Sequence, residues 1–298
     1  MNAPPVALGL GLCLLYTVLI TGADAVTKLF GQAYAAPQLF ALSGLLVAGF
    51  SLVMGRLDAR PGRGLRTRCP RAMALRAAAT VLGSVAFYQA FQLLPFAEVF
   101  IFVALIPLLT AFLSGAVLGE RVRGPVWGAL GFGALGMVCL FPGGFSSITL
   151  GHWAALAAVV FGTVSMVASR YIGQRESNLL AQVFYPNLAL GVVMGLALPF
   201  VFQPMDASDL AWAVAYAVLL FAARWVLVAA LQALPAYVVT PLMNMQFVWM
   251  VVIGALAFGE RPDTGVYLGA MIVIVAGLWL VRDQARPIPD RSPAMPAE

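Results

Sequence analysis

Charge is scarce in this chain. Only 10% of its 298 residues are Asp, Glu, Lys or Arg and 62% are hydrophobic, against roughly 25% charged residues in soluble domains. That shortage excludes an ordinary soluble globular domain. Histidine occurs once and cysteine three times. An odd cysteine count, with Cys13 and Cys139 inside apolar runs, points to packing residues rather than to a disulfide framework or a metal site. A GxxxxGK[ST] loop is absent, so ATP is not expected to be used directly. No paired aspartates on neighbouring apolar segments and no second histidine are present, so no enzyme, cofactor or metal is expected. The five residues before the first apolar run, Met1 to Pro5, carry no positive charge and the run continues to Phe30, which argues against a cleaved signal peptide.

What the chain does have is apolar runs too long for single crossings. A bilayer core of about 30 Å takes about 20 residues of helix, yet 124–169 and 225–259 are both free of charge. They are expected to fold back at Pro142-Gly143-Gly144 and at Leu234-Pro235. The predicted fold class is all-α: a polytopic membrane protein of ten transmembrane helices, at 6–30, 37–55, 73–93, 96–118, 125–142, 151–171, 180–201, 210–233, 236–258 and 264–281. A β-barrel would alternate polar and apolar residues, which these runs do not.

The few charges set an orientation, because short loops rich in Lys and Arg stay in the cytoplasm. The 56–72 loop and the start of the next span hold Arg56, Arg60, Arg63, Arg66, Arg68, Arg71 and Arg76. With that loop inside, both termini and the polar tail 282–298 are inside as well. Fourteen arginines then fall on the cytoplasmic side, and only Lys28 and Arg261 near the outside. The net charge of +5 is therefore read as topology. No aromatic-interleaved basic patch suggests nucleic acid.

Leu118-Gly119-Glu120-Arg121 recurs as Phe258-Gly259-Glu260-Arg261, 140 residues on. The same offset lays Ala90, Gln92, Leu94 and Pro95 on Ala230, Gln232, Leu234 and Pro235. An offset of 142 lays Gly31-Gln32 on Gly173-Gln174 and Lys28 on Arg170. These are the marks of two five-helix units, 6–142 and 151–281. Five is odd, so the second unit enters the membrane from the opposite side. Two inverted halves can exchange conformations of nearly equal energy, as alternating access requires. Each Gly-Glu-Arg reads first as a helix C-cap with a charged anchor at the water interface.

Two five-helix halves, the mid-span Pro107 and helices ending in LGER and FGER resemble the drug/metabolite transporter superfamily, EamA type, over nearly the whole chain. Gln246-Phe247 stands where that family carries Glu-Pro, and Thr21-Gly22-Ala23-Asp24 where it often carries a Trp- and Gly-rich segment. The resemblance is greatest to bacterial amino-acid exporters of the YddG type. It implies a multi-pass protein of the bacterial inner membrane that exports small metabolites, foremost neutral and aromatic amino acids. Its expected partners are a small-molecule substrate and the lipid bilayer, with the chain acting as a monomer. Another small organic solute or drug, a channel and a receptor without carrier activity are the alternatives.

Polar side chains inside lipid usually face a wet cavity or the bundle interior. Thr17, Thr21, Asp24 and Lys28 lie within about 60° of one helical face. Asp24 and Lys28 are spaced to pair with each other, and Asp24 could instead meet an ammonium or exchange a proton. Ser84, Tyr88 and Gln92 form a second row, and Tyr237 and Asn244 mark a third. Phe161 and Ser165 come from the sixth span. Arg224, about 13 Å from its helix end by 1.5 Å per residue, needs a partner; with Trp225 beside it, it is the leading candidate for anion recognition. Pro107 and Pro241 free the Val103 and Tyr237 carbonyls, and with Asp24, Glu98 and His152 they form the candidate gating or proton-coupling set. Glu98 reads equally as a first-turn carboxylate and His152 as a solvated interfacial residue. Cysteines introduced at 120 and 260 are expected to react with an impermeant thiol reagent from opposite sides of the membrane; labelling from one side would remove the inverted repeat.

Overall fold

The computed structural model describes residues 6–57, 64–95, 99, 102–103, 105–119, 127–128, 131, 149–176, 178–260, 271–272 and 275. Every regular element among the described residues is a helix, with no strand. In chain order the elements are α1 (Val6–Gly31), α2 (Ala36–Leu57), α3 (Pro70–Leu93), α4 (Ile106–Leu118), α5 (Leu150–Gly173), α6 (Leu179–Ala197), α7 (Ala207–Ala233), α8 (Ala236–Met243) and α9 (Gln246–Phe258). Among the described residues five helical stretches are long and apolar enough to cross a membrane: Ala7–Gly31, Ala36–Arg56, Leu150–Gly173, Leu179–Phe200 and Ala207–Ala233. The predicted spans 125–142 and 264–281 fall almost wholly outside the described residues, as does the tail 282–298.

One predicted boundary is sharpened and one expectation is corrected. The span predicted from 73 begins at Pro70, because proline suits the first helical turn, where its missing N–H costs nothing. Arg76 lies in the second turn of this helix. The span predicted as one helix over 236–258 is two, broken at Asn244 and Met245. Pro241 cannot bond the Tyr237 carbonyl, and the chain then tightens to three-residue spacing: Met245 N–H donates to the Leu242 carbonyl at 3.1 Å, and Phe247 N–H to that of Asn244 at 3.0 Å.

The first half carries the same irregularity at the same register. Leu105 N–H donates to the Phe102 carbonyl at 2.9 Å just before α4 starts at Ile106, with Pro107 in its first turn. Both α4 and α9 run 13 residues and end on a left-handed glycine, Gly119 at φ 66° and Gly259 at φ 63°, a conformation other residues adopt at a cost. The ends of α3 and α7 match as well, Leu94 at φ −128°, ψ 150° and Leu234 at φ −125°, ψ 151°. Pro95 and Pro235 force that extended geometry on the residue before them.

The broadest helix contacts are α3 with α5, α2 with α6 and α1 with α7. Small residues let these helices approach closely. At the α2–α6 crossing, a Cβ on Gly44 would lie 2.6 Å from the Gly191 nitrogen, and one on Gly191 would lie 2.8 Å from the Leu45 nitrogen. Two large apolar clusters result, beside a small one of Met73, Ile172 and Ala181. One centres on Tyr16, Phe91, Met166, Leu231 and Phe247, the other on Phe30, Phe40, Leu190, Tyr216 and Leu220. Large apolar side chains such as Phe112, Leu196 and Leu256 point outward, as hydrocarbon surroundings permit.

Gly44→Leu is expected to separate α2 from α6 and cost about 3 kcal/mol or more, beyond the usual penalty of overpacking, read as a fall in thermal midpoint in detergent. Gly49→Ala, where an added Cβ meets nothing within 4 Å, should match the unmodified chain. Equal midpoints for all three proteins would refute this account of the crossing.

Candidate functional site

A cavity of about 190 Å³ is lined from both apolar clusters. From α1 it receives Tyr16, Ile20, Asp24 and Thr27, which repeat every three or four residues and so share one face. From α3 it receives Arg76, Thr80, Ser84, Phe87 and Phe91, another such face. Ser165 and Met166 come from α5, Leu220, Arg224 and Leu227 from α7, and Met243 and Gln246 from the two sides of the break between α8 and α9. Because α8 stops at Met243 and α9 starts at Gln246, the broken span presents its irregular backbone beside this cavity. Irregular backbone is tolerated at such a depth only where protein or a water-lined space covers it.

The polar groups are few and specific. Gln246 Nε2 donates to Asp24 Oδ2 at 2.8 Å. The hydroxyls of Thr80 and Ser165 share a hydrogen bond of 2.9 Å across α3 and α5. Arg76 is only 6% exposed, and the Nε atoms of Arg76 and Arg224 are both buried without a hydrogen-bond acceptor. Phe87 and Phe91 stack with ring centres 6.0 Å apart and form an aromatic wall. The arrangement can bind a small solute that carries a negative group and an apolar or aromatic body. Among the described residues no group of three or more His, Cys, Asp or Glu side chains could hold a metal ion.

The expected Asp24–Lys28 pair does not form. Lys28 instead pairs with Glu260, reaching from the last turn of α1 to the residue after the Gly259 cap, and lies 5.2 Å from the centre of the Phe258 ring. Asp24 points inward to Gln246, one turn earlier, so the two charges part. At the same end of α1, Tyr34 donates to the Asp209 carboxylate of α7, which pushes the phenol up to about 12.

Asp24, Ser84, Ser165 and Arg224 are thus brought together, and other sequence candidates are not. The hydroxyls of Thr17 and Thr21 bond helix carbonyls at 2.7 and 2.6 Å. The Tyr88 hydroxyl holds the Tyr34 carbonyl in the α1–α2 turn. Gln92 packs into the space that a side chain at Gly31 would fill. Phe161 covers Gly83, and the Trp225 ring sits 5.7 Å from Phe221, away from the cavity lining. Asn244 serves the helix break through its carbonyl. His152 caps the start of α5, its Nδ1 2.9 Å from the Thr149 nitrogen and 2.8 Å from its hydroxyl. Glu98 lies outside the described residues, as do the side chains of Pro107, Tyr237 and Pro241.

Arg76, Tyr16, Thr80, Phe87 and Gln246 are site residues that the sequence reading missed. One signal was available: Arg76, Thr80 and Ser84 are spaced by four, so the row read forward from Ser84 runs backward instead.

The EamA-like transporter family matches residues 7–141 and again residues 149–282. A protein named riboflavin transporter from Rhizobium johnstonii is 28% identical over 234 residues, spanning 77% of this chain and 76% of that protein. A chain solved by crystallography shares the fold with a TM-score of 0.73 at 19% identity, over 94% of this chain and 98% of its own.

Lys28→Met and Glu260→Gln should each lower stability by about 1–2 kcal/mol, between the values for exposed and buried pairs, measured as thermal midpoints in detergent. The double variant should cost little more than either single one. Fully additive losses would show that the two side chains do not depend on each other.

Proposed function

The chain belongs to the EamA-like transporter family, and on that premise we propose that it is a secondary carrier that exports small carboxylate-bearing metabolites across the bacterial inner membrane by alternating access, amino acids being the class its sequence suggests. The observation that carries this reading is the cavity itself, where Asp24, Arg76 and Arg224 stand beside the Phe87 and Phe91 rings. In the proposed complex Arg224 takes the carboxylate, a role suited to its planar fork of donors. Asp24 faces the opposite end of the solute, and the aromatic wall holds its body. Binding energy should be modest, since a carrier that favours one loaded state strongly would trap its substrate there.

Two inverted five-helix halves, ten spans in all with both termini cytoplasmic, form the proposed mechanical frame. Its support is the register already described: α4 and α9 have equal length, equivalent breaks before them and matching left-handed ends, and the family matches the chain twice. The carrier is proposed to work as a monomer without cofactor or metal. Family members are transporters rather than enzymes. A second reading, a carrier of larger ring-bearing neutral solutes, is favoured by the relative named riboflavin transporter and by the aromatic lining.

Purified protein in liposomes, tested with labelled amino acids and riboflavin with and without a pH gradient, decides between them. Saturable uptake and counterflow of a carboxylate-bearing solute support the first reading, and flux of riboflavin alone the second. Arg224→Ala should lower carboxylate uptake at least tenfold, leave riboflavin flux unchanged and retain the fold; unaltered kinetics would take Arg224 out of the site.

A further inference from the structure

The cavity is unbalanced in charge. Its described lining holds two guanidinium groups, Arg76 and Arg224, and one carboxylate, Asp24. The one ion pair among the described residues joins Lys28 to Glu260 and contributes nothing here. Asp24 accepts from the neutral Gln246 amide instead of from either arginine. Arg76 is more than nine-tenths buried, and both arginine Nε atoms lack acceptors. With Asp24 ionised, the described lining carries one surplus positive charge.

That surplus is tolerable while one mouth of the cavity admits water. It becomes costly in the closed intermediate between inward-open and outward-open states, when hydration is withdrawn from an ion that no group of the described lining neutralises. A zwitterion adds one charge of each sign and leaves the surplus in place. A solute of net charge −1 cancels it. From this count we propose that the site carries organic anions of net charge −1, a carboxylate on an aromatic or apolar body, and that it exchanges one such anion for another instead of returning empty. The inference rests on the carrier reading above and narrows it: the loaded site crosses the closed state neutral, the empty site crosses it charged. Within the carboxylate-bearing class it favours the anion over the zwitterion of the same shape.

3-Phenyllactate and phenylalanine supply that comparison, since they differ chiefly in a hydroxyl for an ammonium. The full chain is placed in liposomes with the membrane potential clamped at zero, so that net anion movement meets no electrical back-pressure. Labelled 3-phenyllactate should enter vesicles preloaded with unlabelled 3-phenyllactate at least tenfold faster than vesicles holding buffer alone. Labelled phenylalanine should enter at least tenfold more slowly than 3-phenyllactate. Arg76→Gln removes the surplus charge, so preloading should then change the rate less than twofold and the preference should turn toward phenylalanine. A purely structural Arg76 would depress both solutes alike. Should that variant fail to fold, Thr80→Asp, one helical turn away, makes the same change of charge with the guanidinium in place. Equal rates into loaded and empty vesicles overturn the exchange proposal and leave the carrier standing. Absence of 3-phenyllactate flux in both modes also overturns it, while the carrier reading is judged separately by the amino acids and riboflavin. A preference unchanged in either charge variant overturns the assignment of the surplus to this cavity.

Discussion

Hydrocarbon offers no water to an ion, so Lys28, Arg170 and Asp24, charged side chains within the helices, are each held by another part of the protein. Lys28 reaches Glu260. Arg170 of α5 donates to the Leu231 carbonyl of α7 at 2.7 Å, and Asp24 accepts from Gln246. Each of these contacts ties together helices from distant parts of the sequence. The same constraint bears on Arg76 and Arg224: with Asp24 bonded to Gln246, they share a cavity where a polar guest or water can reach them. Fold and site follow from one rule applied to a short inventory of charges.

Backbone groups obey the rule too, and here the chain makes a deliberate exception twice. The spans containing Pro107 and Pro241 both lose regular hydrogen bonding near their middles, at Leu105 and at Asn244–Met245. Each then resumes as a 13-residue helix closed by glycine. On the second span the break sits between Met243 and Gln246, which both line the cavity. From the far side of that tightened turn the Gln246 amide donates to Asp24.

Much of this is legible in the sequence alone. Long apolar runs, the glycine-ended pair and the extended residues before Pro95 and Pro235 are local properties, and local physics sets them. Asp24 and Arg224 were legible because a charge in an apolar run has few explanations. Arg76 was not, since an arginine three residues inside a span end reads as a topological marker until the cavity it lines is known. Lys28 was assigned to the acid one turn away because its true partner lies 232 residues along the chain. Tyr88 and Trp225 have the chemistry of site residues, yet their faces are taken by a turn carbonyl and a phenylalanine. Helical spacing tells which residues share a face, and only the neighbours tell what that face meets.

The meeting of Gly44 with Gly191 has a consequence for how this sequence can vary. The obstacle to a side chain at either position is main chain: the Gly191 nitrogen on one side, the Leu45 nitrogen on the other. A clash with a side chain can be relieved by trimming the neighbour, but peptide units have nothing to trim. Descendants of this sequence therefore have no second-site escape within the contact. To admit even a methyl group there, α2 and α6 would have to move apart as whole rods, carrying their surroundings with them.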